Sequence, residues 1–282
     1  MTLSRRAFAI LVGTTTAAQA QLDMRAHLLT TPTDPRYQLA GERTVARLDE
    51  IGVDFAAPRL ILVNIAGTEL IAYEAGREML RSRVIVGTPR NRTPQMTSFV
   101  TSVRTNPPWH VPPSIAPEIR AGGAAGYRVV GGRYILPPGP NNPLGPLRIG
   151  LLDSDGIFLH GTDKPRYFAR DTRTLSHGCV RVERVHELAA WLLDVPLEEV
   201  HSAIATGRTM EIHPMQEVQV VLAYLTLWKD EQGRLVHHPD PYGYDAPGGR
   251  NAGLRRVSRP LGQMADEREA MARFNARGDD RI

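Results

Sequence analysis

The chain has 282 residues, 34 Lys+Arg against 30 Asp+Glu, 42% hydrophobic residues and a single cysteine, Cys179. That length supports one or two domains with a sizeable core, and the balance of apolar and charged residues excludes wholesale disorder. One cysteine excludes an internal disulfide framework and any Cys-rich metal site, and a net charge of +4 is too small an excess to argue for nucleic acid.

Residues 1–20 carry Arg5 and Arg6, a short apolar core from Ala7 to Val12, and Ala18-Gln19-Ala20 as a small-x-small cleavage site. This reads as an export signal, and Ser4-Arg5-Arg6-Ala7-Phe8 gives it a twin-arginine character; an ordinary Sec signal carrying two arginines is the alternative. The expected location is therefore periplasmic, beyond the inner membrane. Removing the signal leaves a nearly neutral chain, 32 basic residues against 30 acidic ones. No apolar run reaches the ~18 residues that suggest a stable membrane span. In an oxidising compartment structural cysteines come in pairs, so unpaired Cys179 is a buried inert residue, an intermolecular bridge or a reactive thiol.

Residues 21–57 are expected as a loosely attached segment with a short helix around 41–51, from the spacing of Val45, Leu48 and Ile51. Four runs then read as strands: 60–65, 70–74, 83–87 and 97–104. Residues 106–149 are rich in Pro and Gly, but Trp109, Ile115, Tyr127 and Tyr134 interleave with them. That pattern predicts an ordered, lid-like excursion over about 106–146 rather than a flexible linker. Strands are expected at 147–151 and 156–160, helices at 184–193 and 197–206, and a late strand over 218–228. The Arg-rich tail, 246–282, reads as solvated and disordered. The fold class is α+β, mainly β: a sandwich or open barrel of mixed sheets with short helices.

The chemistry concentrates in Phe158-Leu159-His160-Gly161-Thr162 and Ser176-His177-Gly178-Cys179-Val180-Arg181. Glycine before the cysteine lets a reacting carbonyl approach the backbone. A helix expected directly after Cys179 would place the thiol at a strand–helix junction and lower its pKa. His177 lies two residues from the cysteine, too far along an extended chain to act on it, whereas His160 on another strand can approach side-on. These residues describe a cysteine nucleophile with a histidine base, with the Gly178 and Cys179 amides as oxyanion donors. A buried structural cysteine is the competing reading. His186, His201 and His213 have no ligand-like spacing, and His237-His238 with Asp240 reads as a turn rather than a metal site.

At these positions the sequence resembles the L,D-transpeptidase (YkuD-domain) family of bacterial cell walls. The family pattern is a histidine, a gap of some fifteen to twenty residues, then Ser/Thr-His-Gly-Cys, an apolar residue and Arg or Asn. Here it is carried by His160 and by Ser176 to Arg181. The likeness to the larger periplasmic subgroup extends through Arg83-Val84-Ile85-Val86-Gly87, Asn106-Pro107-Pro108-Trp109, Asn142-Pro143-Leu144-Gly145 and Asp240-Pro241-Tyr242-Gly243-Tyr244-Asp245, about residues 58–245 in all. The resemblance implies that Cys179 is the nucleophile and His160 its general base, with a backbone carbonyl as the usual partner of that histidine. It gives Ser176, His177 and Gly178 site-shaping roles around the oxyanion pocket. Arg181, Phe158, Gly161 and Trp109 would support the site or bind substrate. Phe158 replaces the tyrosine frequent in the subgroup, which removes a hydroxyl donor.

The implied reaction is thioester formation at the diaminopimelate carbonyl of a peptidoglycan tetrapeptide stem, loss of D-Ala, and transfer to an amine of a second stem. No metal or organic cofactor is called for. The partners implied are peptidoglycan stem peptides, an outer-membrane protein acceptor in some relatives, and carbapenem β-lactams as inhibitors. Water as acceptor would give an L,D-carboxypeptidase. A non-catalytic wall-binding module is the alternative from another class, and a papain-type protease is disfavoured because His160 precedes Cys179.

Overall fold

A computed structural model describes residues 35–55, 57–249 and 253–256. The expected export signal, residues 21–34 and most of the expected disordered tail lie outside the described residues. In chain order the elements are helix α1 (Pro35–Ile51), then strands β1 (Arg59–Asn64), β2 (Glu69–Glu74), β3 (Arg77–Gly87) and β4 (Met96–Thr105). The Pro/Gly-rich excursion holds β5 (Trp109–His110), helix α2 (Ala116–Ala121), β6 (Arg128–Val130) and β7 (Arg133–Leu136). Strands β8 (Leu147–Leu151), β9 (Leu159–His160), β10 (Thr174–Ser176) and β11 (Val180–Val182) follow. The chain continues with α3 (Val185–Leu193), α4 (Leu197–Ala205), β12 (Met210–Ile212), β13 (Gln219–Ala223), β14 (Leu227–Lys229), β15 (Leu235–His237) and β16 (Arg255–Arg256).

Eight strands close on themselves in the order β3-β11-β9-β8-β4-β13-β1-β2 and back to β3. The two long strands make the corners. β3 pairs with β2 along its first half and with β11 near its end, at Arg181↔Ile85 and Val182↔Val84. β4 pairs with β13 over Met96–Phe99 and with β8 beyond Val100. The result is the expected mainly-β fold, a barrel-like sandwich with mixed pairing: β1–β13 and β9–β11 are parallel, most other pairs antiparallel. Closure leaves few free edges, which otherwise invite pairing with other chains.

Side-chain alternation explains the core. Along β1, Ile61 and Val63 face the main cluster with Leu70, Val84, Val100, Ile149, Leu159, Val180, Val182 and Leu222. Leu60 and Leu62 face the opposite way, into a second cluster with Ile71, Tyr73, Val221 and Trp228. Both faces of β1 are buried, which is why its sequence is a continuous apolar run rather than an alternating one. Each fully buried Leu or Val contributes roughly 1.5–3 kcal/mol.

The second cluster needs a lid of its own, and α1 supplies it. Ala40, Val45, Leu48 and Ile51 pack there, and buried Arg47 donates to Tyr224 O at 3.0 Å and pairs with Asp245. The described part of the segment expected to be loosely attached, helix α1, is therefore part of the core, because its apolar stripe covers a sheet face that would otherwise meet water. Two further expectations are corrected. The run 218–228 is two strands, β13 and β14, separated by Tyr224–Thr226. Arg255 and Arg256, expected in a solvated tail, pair in parallel with Met96 and Thr97 of β4. Among the described residues no helix is long and apolar enough to cross a membrane.

If α1 is integral to the fold, Leu48→Ala lowers the unfolding free energy by about 2–5 kcal/mol, while exposed Leu39→Ala stays within about 0.5 kcal/mol. Chemical denaturation followed by circular dichroism measures both, and equal small effects would contradict the packing.

Candidate active site

The site is written across the strands by register. β9 and β11 run parallel, with Val180 opposite Leu159 and Arg181 opposite His160. Leu159, Val180 and Val182 point into the main core. With a period of two, Phe158, His160, Cys179 and Arg181 must share the opposite face. The row extends sideways: His160 is opposite Arg148 of β8, Arg148 opposite Arg104 of β4, and Arg104 opposite Glu211 of β12. Glu211, Arg104, Arg148, His160 and Arg181 thus form one cross-strand row.

Cys179 does not start a helix. It ends a bend between β10 and β11, and the next helix begins six residues later at Val185. The reason is local: Val180 and Val182 are β-branched residues buried between β9 and β3. The turn before Cys179 is clamped from both ends. Ser176 Oγ accepts from Gly178 N–H at 3.1 Å and donates to Cys179 O at 2.6 Å. Thr93 Oγ1 donates to Gly178 O at 2.7 Å and accepts from Gly87 N–H at 2.9 Å. Tyr242 Oη accepts from Thr93 N–H and donates to Gly87 O at 2.7 Å, which ties the Asp240–Asp245 stretch to the turn. Gly178 sits at φ +118°, where a side chain is strained. Of the two amides expected as oxyanion donors, that of Gly178 is engaged inside the turn, so that part of the expectation is corrected.

His160 is buried, and its Nδ1 lies 2.7 Å from Gly161 O. Donation to that carbonyl fixes the tautomer that leaves Nε2 as the basic nitrogen. Burial, and then the Arg181 guanidinium, push the imidazole pKa down to about 3. The half-buried Cys179 thiol donates to Gly156 O at 3.4 Å. Burial pushes its pKa up, against the lowering pull of the Phe158 amide, Arg181 and Arg148. The expected low-pKa thiol is therefore corrected: without a helix dipole, desolvation wins, and the thiol, turned to Gly156 O, and the imidazole on the same face both rest neutral.

The excursion 106–146 covers this face. β5, β7 and β6 form a small antiparallel sheet, with Trp109 packed 6.1 Å from Tyr127 and Tyr127 6.1 Å from Tyr134. His110 of β5 feels burial and then Arg104 and Arg148, which lower its pKa, so the lid strand lies near the arginine row. His177 Nε2 meets Glu118 Oε1 of α2 at 3.3 Å, joining the Cys179 turn to the excursion. At the lid's roots a cavity of about 310 Å³ opens between Asn106, Gly139, Pro140, Gly145, Pro146 and Thr162. Gly145 is required there: its φ is +65° and a Cβ would fall 2.5 Å from Thr162 N.

The L,D-transpeptidase catalytic-domain (YkuD) family model matches residues 58–220. The chain belongs to that family. A Haemophilus influenzae protein named as a candidate L,D-transpeptidase is 31% identical over 217 residues, covering 66% of this chain; the chain spans 44% of that relative's length. Solved L,D-transpeptidases overlap less closely. One from Mycobacterium smegmatis matches at 14% identity over 58% of each chain, with a TM-score of 0.35. L,D-transpeptidase 3 of Mycobacterium tuberculosis, solved with a faropenem-derived adduct, matches at 14% identity over 58% of this chain and 60% of its own, with a TM-score of 0.33.

Within this YkuD domain the residues singled out in the sequence divide into three groups. Phe158, His160, Cys179 and Arg181 share the face opposite the main core. Ser176, Gly178 and Gly161 are buried supports beside it, and Trp109 and His177 lie on or against the lid. The remaining histidines are elsewhere: His186 Nδ1 meets His201 Nε2 at 3.1 Å between α3 and α4, His213 Nδ1 lies 2.8 Å from Thr101 O, and His238 is beside Glu69. Among the described residues no group of three His, Cys, Asp or Glu is placed to hold a metal. Sequence reading missed Thr93, Tyr242, Arg148 and Glu211. Arg148 and Glu211 carry no motif signal, because strand pairing alone brings them to the site; Thr93 and Tyr242 reach it from loops through hydrogen bonds, and Tyr242 stood in the Asp240–Asp245 stretch without a role assigned to it.

The neutral resting pair has a measurable signature. Alkylation of Cys179 by iodoacetamide rises with pH toward a midpoint above the ordinary thiol value of about 8.5. His160, already neutral well below pH 6.5, adds no inflection between about pH 5 and 8. A fast plateau extending down to about pH 5 would instead reveal a thiolate–imidazolium pair.

Proposed function

We propose that this chain is an exported, periplasmic L,D-transpeptidase that uses Cys179 as its nucleophile and His160 as its general base. The observation that carries the proposal is the shared face of His160 and Cys179 on paired strands of a YkuD domain, with the Ser-His-Gly-Cys turn intact. In the donor half, the Cys179 proton passes to His160 Nε2 as Sγ attacks the carbonyl of diaminopimelate, third in a tetrapeptide stem. The tetrahedral oxyanion gathers against backbone N–H at Cys179 and the positive field of Arg181 and Arg148. The protonated imidazole then gives its proton to the departing D-Ala amine, and a thioester remains. In the acceptor half the side-chain amine of a second diaminopimelate attacks the thioester, releasing Cys179 and leaving a crosslink between third residues.

A weakly basic His160 suits this sequence. Proton transfer is unfavourable in the resting state, so it accompanies attack rather than preceding it, and the protonated form readily returns its proton to the leaving amine. No metal or organic cofactor takes part. Carbapenem β-lactams acylate the same sulfur, blocking the site.

Mass spectrometry of products from disaccharide-tetrapeptide muropeptides tests the proposal. Dimers linked between third residues are expected, with Cys179→Ala abolishing them and His160→Ala lowering the rate by about 10²–10⁴-fold. Tripeptide products alone would move the acceptor to water, and an adduct formed only with an added outer-membrane protein would make the chain an anchoring enzyme. No product and no carbapenem adduct on Cys179 would leave the non-catalytic wall-binding reading.

A further inference from the structure

The arginine row carries more positive charge than its own carboxylate balances. Glu211 is engaged at both oxygens, by Ser102 Oγ at 2.5 Å and by its pair with Arg104. Arg148 reaches that carboxylate only at 3.8 Å. Its guanidinium instead stacks on the Phe158 ring, with Cζ 4.6 Å from the centroid. Phe158 is level with Cys179 on the neighbouring strand, so the stack holds the cation on the nucleophile's side of the row. Arg181 flanks the same position, and the Nε atoms of Arg148 and Arg181 are both buried without a hydrogen-bond partner. Asp163, the carboxylate that acts on Arg181, also lies 3.7 Å from Lys164 Nζ. Burial and the Arg104 charge push the Arg148 guanidinium down to about 10, which marks a cation short of an anion.

We propose that Arg148 and Arg181 form a carboxylate cradle beside Cys179, with Phe158 as its platform, and that it selects donors bearing a free carboxylate on the residue that leaves. The reading rests on the proposed transpeptidase activity for the identity of the donor, a peptide ending in a free α-carboxylate one residue beyond the attacked carbonyl. Arginine suits the task because its planar fork meets a carboxylate in two hydrogen bonds, and in a half-buried site those bonds are strong. Phe158 gains a purpose that its missing hydroxyl had removed: a flat apolar face orients the guanidinium without competing for its donors. Ser102 and Glu211 are positioning residues: Ser102 fixes the Glu211 carboxylate, which pairs closely with Arg104 and reaches Arg148 only at 3.8 Å, so Arg148 keeps donors for the ligand.

Two reagents of nearly equal size separate charge recognition from thiol reactivity. Iodoacetate carries the carboxylate; iodoacetamide replaces it with a neutral amide. Cys179 is the only cysteine, so whole-protein mass spectrometry reads both rates. The ratio of the two rates cancels any change in thiolate fraction. The wild-type ratio of iodoacetate to iodoacetamide rates is expected to exceed that of free cysteine. It should fall by about tenfold in Arg148→Gln and recover partly in Arg148→Lys. An unchanged ratio in a folded Arg148→Gln overturns the cradle, and so does an equal loss with Gln and Lys, which would mark a packing role. The peptide arm compares a tetrapeptide donor with its C-terminal carboxamide: the wild type should prefer the acid, and Arg148→Gln should lose the preference. An Arg148-dependent iodoacetate preference without D-Ala release supports the cradle and overturns the peptidoglycan reading. Release of D-Ala from the acid and of D-alaninamide from the carboxamide at equal rates overturns the cradle alone.

Discussion

The parallel pairing of Leu159-His160 with Val180-Arg181 is the constraint on which the site depends. Leu159, Val180 and Val182 are all essentially inaccessible to water, and burying them fixes which way every alternate residue points. A slip of one residue would place His160 or Cys179 in the hydrocarbon core and expose a valine. The apolar core therefore holds His160 and Cys179 in register without touching them. The same logic spreads through β8, β4 and β12, so that strand pairing alone assembles Arg148, Arg104 and Glu211 in one row with His160 and Arg181.

Electrostatics follow from that placement. A buried imidazole and a half-buried thiol both resist ionisation, and the surrounding guanidiniums disfavour a protonated His160 while favouring a thiolate and an oxyanion. The face is thus neutral at His160 and Cys179 and favours negative charge placed on it. The Ser176 and Thr93 hydroxyls keep the Gly178 turn in a backbone conformation that other residues adopt only under strain. The excursion contributes through His177–Glu118 and by keeping His110 close to the arginines, so this face is partly enclosed.

Much of this was legible in the sequence, and the gaps have physical causes. Helix 41–51 was visible because Val45, Leu48 and Ile51 recur at helical spacing, but its attachment was not, since the sheet face it covers lies far along the chain. The doubly buried strands β1 and β13 read as apolar runs. β9, only two residues long, gave little alternation to count. The expectation of a helix at Cys179 failed because Val180 and Val182 belong to the barrel, and three residues carry no reliable period. His160 and Cys179 stood out because their spacing carries a motif; Arg148 and Glu211 did not, because long-range strand pairing alone brings them there, and Thr93 and Tyr242 join the turn from loops through hydrogen bonds that no local pattern announces.

The central claim is that Cys179 carries the acyl group between donor and acceptor. Acid-quenched intact-protein mass spectrometry during turnover of a disaccharide-tetrapeptide tests it most directly. The account predicts an adduct on Cys179 with the mass of the donor less D-Ala, formed together with one equivalent of free D-Ala and lost when an amine acceptor is added. Crosslinked product accumulating while Cys179 stays unmodified, or persisting in Cys179→Ala, would contradict it.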